Sequence, residues 1–352
     1  MKRERNSSIE LLRILAIFGI VVMHTNAAVM KDCYGINQIW TQIENGVFNT
    51  GVSVFALISG FYGIRCNKNK MVTLWTTVVF YSVLSAMVGC ILMGEPVKNL
   101  LAAAIPISSN RYWFISCYII LMLFSFYINR TIESISQPQF TRLLMLMSVF
   151  FIVSPTLLYY SVLGGGKNIV NMLLLYFLGA YIHKYNLHNM ASKKGLLKIF
   201  FIITTLNILL NLAVSMATGG GQAHIPFARD CSAFIVVEAV AIMMLFVKTT
   251  LHSEIVNIVA SHVFAVYLFE GALRNIIKII VFDYTIYEHE SYWFLINIIV
   301  ALCLVAGCIF IDFAVQILLE PLRKFLLRII GKLQPKVTNY LLILDRLLKA
   351  DI

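Results

Sequence analysis

The sequence predicts an all-α, polytopic membrane bundle of about ten transmembrane helices with both termini in the cytoplasm. Three observations carry that expectation. The 352 residues are 60% hydrophobic and only 13% charged, against about 45–50% apolar and about 25% charged in a soluble domain. The apolar residues gather in long runs of the length a bilayer requires. The Lys and Arg residues fall in short clusters between those runs, the pattern that sets membrane orientation. A one-core soluble enzyme, a disordered chain and a small disulfide scaffold are excluded on the same grounds. The net charge of +11 is distributed as loop clusters, not as a phosphate-tracking stripe, so no nucleic-acid partner is expected.

In chain order, the candidate spans are 9–30, 46–64, 71–93, 111–129, 142–160, 168–184, 196–217, 228–248, 256–281 and 291–320. Glu10 and Arg13 interrupt the first run, and its apolar character continues past His24, so it reads as a retained helix and not a cleaved signal. With a cytoplasmic N-terminus, 20 of the 28 basic residues lie on inner segments and five on outer ones, Lys31, Lys98, Arg111, Lys167 and Arg229. The outer connections 31–45, 94–110, 161–167, 218–227 and 282–290 read as short polar links. Residues 1–320 then form the embedded unit. The segment 321–352, which begins at Pro321 and carries Arg323, Lys324, Arg328, Lys332 and Lys336, reads as a basic amphipathic cytoplasmic tail, with a plain solvated tail as the alternative. The seven cysteines have no C-x-x-C spacing and read as small buried apolar residues, with no metal site expected.

Polar and charged side chains inside the spans are the functional candidates, because each costs several kcal/mol to place in hydrocarbon. Arg13 and His24 are 11 residues apart in the first span, about three turns plus ~20°, so they share one helix face roughly 16 Å apart. Glu10 joins that face and can pair with Arg13 by i,i+3 geometry. Arg13 suits an anionic group such as a phosphate. His24 is the side chain suited to accepting a proton near neutral pH. The structural alternative is an Arg13 that snorkels to the headgroups and a His24 that caps the outer end. In the ninth span Glu270, Arg274 and Lys278 follow at i, i+4 and i+8, as a cavity-lining ion pair or a structural one. Glu238 lies alone in the eighth span, with Arg274 or Arg13 as its expected partner.

These residues also carry a resemblance. The stretch I9-E-L-L-R-I-L-A-I-F-G-I-V-V-M-H24, with its Arg13-x10-His24 spacing, resembles the opening helix of the acyltransferase 3 family of integral-membrane acyltransferases. G51-V-S-V-F-A-L-I-S-G-F61 is similar to the family's second span, R111-Y-W-F-I-S-C-Y to its aromatic-Trp-Phe helix, and Y176-F-L-G-A-Y-I182 and F264-A-V-Y-L-F-E270 to later ones. The resemblance implies acyl transfer from a cytoplasmic acyl-CoA to a hydroxyl of a cell-surface glycan or lipid-linked oligosaccharide, with His24 as base and Arg13 as its essential partner. It points in particular to short members that O-acetylate capsule or exopolysaccharide in a bacterial plasma membrane. Two features depart from the family pattern. Glu270 stands where many relatives have histidine, and the basic pair after the second span is reduced to Arg65, Lys68 and Lys70.

The chemistry asks for a base, oxyanion donors and an anion clamp. Arg13, Arg65, Lys68 and Lys70 are candidate contacts for the phosphates of acetyl-CoA, a donor substrate with no tightly held cofactor beside it. Ser59 is a candidate donor to the thioester, or with Gly60 a helix-packing element. Tyr112 and Trp113 can stack on a sugar ring or anchor the helix at the interface. Glu238, Glu270 and Arg274 complete the acceptor-side candidates. The alternative function is a secondary transporter or an exporter of a lipid-linked sugar, which buried charges also suit.

Overall fold

The computed structural model describes residues 6–158 and 165–350, with side chains described as far as residue 332. Lys2, Arg3 and Arg5, the end of the predicted span 142–160, Gly164, and the side chains of Lys336, Arg346 and Lys349 lie outside the described residues.

The described residues are helical, with no strand among them. The order is α1 Ser7–Thr25, α2 Gly35–Phe48, α3 Gly51–Tyr62, α4 Lys68–Met93, α5 Lys98–Ala104, α6 Trp113–Ser134, α7 Gln137–Ser148 and α8 Ser154–Leu158, the last two joined by a wide turn at Val149–Val153. Then come α9 Ile169–Lys184, α10 Leu187–Met190, α11 Lys193–Ala217, α12 Ala233–Val247, α13 Glu254–Ile276 and α14 Trp293–Ala350. Seven helical stretches are long and apolar enough to cross a bilayer: α1, α4, α6, the α7–α8 pair, α11, α13 with its extension to Val281, and α14. The other three predicted spans are shorter helices, α3, α9 and α12. All ten predicted runs therefore hold helix, and seven of them reach spanning length. Large apolar side chains such as Phe126, Phe310 and Ile317 face outward, as a surface in contact with lipid tails requires.

The short helices sit at the centre, held by small residues. A Cβ on Gly60 would overlap the Tyr176 carbonyl, and one on Gly179 would overlap the Leu57 carbonyl, so α3 and α9 meet backbone to backbone. This is what Gly60 in the Ser-Gly-Phe sequence contributes. One apolar cluster gathers around α3, α9 and α12, and a second around α1, α4, α13 and α14. Helix α1 contributes to both. Its start is capped by Asn6, whose side chain accepts from the Ser8 amide at 3.0 Å. Ser8 Oγ then ties it to the Thr249 carbonyl at 2.7 Å, beside the start of α13.

Two expectations are corrected. The stretch 31–45 is largely helix α2 and not a short link. Its polar face points inward, with Gln42 donating to Ser215 Oγ and the His224 carbonyl, both at 2.9 Å, and Asn297 donating to Glu44 at 3.1 Å. A helix that buries its polar side gives no apolar run, and so resembles a loop in a hydropathy reading. The second correction concerns Pro321, where α14 does not break. Arg323, one turn beyond the start of that region, donates to Thr76 at 3.1 Å, Thr77 at 2.7 Å and Gln316 at 2.7 Å. The two threonine bonds fasten the helix to α4 on the far side of the proline, and the Gln316 bond braces α14 across it, so these contacts override the local signal.

Candidate active site

The site is built on α1 and completed by α13. Residues Arg13 and His24 lie on α1, and α3 runs back beside it, so that Arg13, Arg65, Lys68 and Lys70 fall toward the Ser7 end while His24 lies at the Thr25 end. Arg13 Nη1 pairs with both oxygens of Glu10 at 3.3 Å, which holds the guanidinium against its own helix. It is also within electrostatic reach of Tyr118 on α6.

At the other end, His24 Nδ1 lies 2.7 Å from Glu270 Oε1. The carboxylate is buried, 8% exposed, while the imidazole is 46% exposed. Arg274, one turn beyond Glu270, donates to the His24 carbonyl, so α13 grips both the ring and the backbone of the same residue. Sequence reading paired Glu270 with Arg274. The structure directs each to a different atom of His24, because α1 packs against α13 along its length. Glu270 Oε2 has no hydrogen-bond partner among the described residues.

His24 and Glu270 open into a cavity of about 660 Å³, lined also by Arg111, Tyr112, Trp113, Lys167 and Asp230. Tyr112 spends its hydroxyl on the Leu268 carbonyl at 2.9 Å, and its ring lines the cavity together with Trp113 and Tyr267. Glu238 does not join this cavity. It is fully buried between α11 and α12, and Oε1 accepts from Asn207 at 3.2 Å, so its partner is an amide and neither Arg274 nor Arg13. Ser59 donates to the Phe55 carbonyl one turn earlier in its own helix at 2.8 Å. The basic residues of the Ser7 end are not brought to one point: Lys70 lines a cavity with His262 and Asp312, Arg65 lines another beside Arg130, and Lys68 is exposed at the start of α4.

Sequence reasoning missed several buried polar groups. His262 Nδ1 lies 2.7 Å from Asp312 Oδ2, and Asp312 Oδ1 accepts from Tyr81 at 2.7 Å. Asp312 interrupts the apolar run 291–320, and the rule that singled out Glu238 applies to it equally. Asp230 falls at the edge of the predicted span 228–248 and is not singled out there, and Lys167 lies in the connection 161–167. Among the described residues no group of three His, Cys, Asp or Glu side chains forms a metal site.

An imidazole–carboxylate pair lining a cavity lies inside a bundle of apolar helices, seven of them long enough to cross a bilayer, which marks an integral-membrane protein. An acyltransferase domain matches residues 6–316, and the chain belongs to the acyltransferase 3 family. It is a membrane acyltransferase, and that membership assigns it acyl transfer in place of solute export. No curated protein and no solved structure matches the chain.

Proposed function

We propose that the protein moves an acetyl group from acetyl-CoA, bound at the Ser7 end, to a hydroxyl of a cell-surface or lipid-linked glycan held in the His24 cavity. The observation that carries this reading is the 2.7 Å bond between His24 Nδ1 and Glu270 Oε1 within the acyltransferase domain. With Nδ1–H donated to the carboxylate, the other ring nitrogen, Nε2, keeps its lone pair for a substrate proton. Nε2 takes the proton of the attacking hydroxyl as the oxygen bonds to the acyl carbon, the carbon–sulfur bond breaks, and the proton passes to the departing thiolate. The buried Glu270 charge stabilises the imidazolium between those two transfers.

Arg13 lies about 16 Å down the same helix face, a distance of the order an extended phosphopantetheine arm covers. Positive charge for the donor's phosphates comes from this end as a whole, with Arg13 on α1 and Arg65, Lys68 and Lys70 on separate surfaces around it. The charge pattern of the loops supports a cytoplasmic Ser7 end in a bacterial plasma membrane. The test is mass spectrometry of surface polysaccharide from cells with the gene, without it, and with His24→Ala. An acetyl-sized mass on the glycan is expected only with the intact gene. Equal acetylation in all three strains would end the proposal.

A further inference from the structure

The cavity that holds His24 is lined by two carboxylates besides Glu270, Glu95 and Asp230, both on connections and not on membrane helices. Asp230 sits between Ala228 and the start of α12, is 3% exposed, and lines the same cavity as His24, Glu270 and Trp113. Its Oδ1 has no hydrogen-bond partner among the described residues. Burial pushes its carboxyl up to about 6, and Lys167 across the cavity mouth draws it part of the way back. A buried carboxylate oxygen without a donor is costly to keep. Such a group commonly marks a site where a ligand supplies the missing bond.

The backbone beneath it is fixed from several sides. Asn171 on α9 donates to the Asp230 carbonyl at 3.3 Å and to the Gly166 carbonyl at 3.1 Å. Gly166, at φ +96°, brings its own chain against Asp230 and Cys231 so closely that a Cβ there would collide with both. Arg229 donates to the carbonyls of Pro226, at 3.0 Å, and Pro155. The Ser232 amide closes the turn on the Arg229 carbonyl at 2.8 Å. The backbone that carries the carboxylate is therefore fixed, while its Oδ1 has no hydrogen-bond partner among the described residues.

Resting on the reading above, we infer that Asp230 is the acceptor-binding carboxylate: its unpartnered oxygen accepts a hydroxyl of the sugar and holds a neighbouring hydroxyl at His24. The chemistry of the wall specifies the ligand class. A lone-pair oxygen asks for an O–H donor, Trp113 offers a flat apolar face to a sugar ring, and the charges of Glu95, Asp230 and Glu270 are partly countered by Lys167 and Arg111. The ligand is a polyol with at least two adjacent hydroxyls.

The experiment uses purified full-length protein with radiolabelled acetyl-CoA. The acceptor is de-O-acetylated envelope polysaccharide from cells lacking the gene. Thiol release without acceptor reads hydrolysis, and label on the polysaccharide reads transfer. Water needs no positioning by Asp230, whereas the sugar does. Asp230→Asn and Asp230→Ala are expected to lower transfer roughly tenfold or more, the factor that goes with a lost hydrogen bond to a charged group, and to leave hydrolysis within about twofold of wild type. Because the carboxyl is raised from an ordinary 3.8 to about 6, its favourable contribution to folding is complete below 3.8 and is lost as pH rises through 6. At pH 7, then, Asp230→Asn is expected to melt no lower than wild type, which separates lost binding from lost fold. Wild-type transfer by Asp230→Asn, or equal losses in transfer and hydrolysis, would overturn this assignment alone. Undiminished transfer by His24→Ala would instead overturn the acyl-transfer reading on which it rests.

Discussion

Two imidazole–carboxylate pairs lie in this bundle with the same contact distance and opposite surroundings. In each, Nδ1 of a histidine is 2.7 Å from a carboxylate oxygen, and α13 supplies one member of both: Glu270 to His24, and His262 to Asp312. The first imidazole is 46% exposed and the second 11%. Asp312 is saturated, accepting from Tyr81 and Gln316 as well, and the His262 ring lies on Phe313 at 3.9 Å. Glu270 keeps one oxygen unpartnered among the described residues. A contact distance alone therefore does not identify a catalytic pair. What separates the two is whether the ring retains an open face and whether the carboxylate has been spent on structure. Both pairs line a cavity, but the His24 ring is largely exposed while the His262 ring is nearly buried. The His262 pair, through Tyr81, fastens α13 and α14 to α4.

The largest effect that sharpens this contrast belongs to His24→Ala, expected to lower acyl transfer by about 10³-fold or more with normal membrane levels, read from labelled glycan. Glu270→Gln keeps the shape but removes the charge that sets the tautomer, and a loss of about 10²-fold is expected in the same assay, with little change in melting temperature. Asp312→Asn works on the other pair. It strips charge from a buried network and is expected to cost about 3 kcal/mol of stability, read as a lowered melting temperature, while protein that remains folded keeps its turnover. Tyr81→Phe, which removes one hydrogen bond to Asp312, is expected to cost about 1 kcal/mol in the same melt. A fall in turnover for Tyr81→Phe as large as that for Glu270→Gln would erase the distinction between the pairs.

How much of this was legible in the sequence follows from what each feature depends on. Bilayer spans are local, so every predicted run holds a helix. The face shared by Glu10, Arg13 and His24 is also local, being set by helix geometry within one segment. Glu270 lies 246 positions from His24. The sequence showed it as a misplaced charge, and only packing of α1 on α13 could name its partner. Helix α2 was hidden because it turns Gln42, Glu44 and Asn45 inward, which inverts the hydropathy signal. Pro321 misled for a related reason, as Arg323 is anchored by residues of α4 that are remote in sequence. Asp230 was passed over because it stands at the edge of the predicted span 228–248, where a charge is ordinary, and its burial depends on Gly166 and Asn171, which pack against it from far along the chain.

The central claim is that the open pair does chemistry and the closed pair holds structure. The direct measurement is acceptor-dependent thiol release from acetyl-CoA by His24→Ala and His262→Ala, purified side by side and normalised to folded protein. The account predicts no acceptor-dependent release from the first variant, and release within about threefold of wild type, with a lowered melting temperature, from the second. Turnover that survives loss of His24 but vanishes with His262 would contradict it.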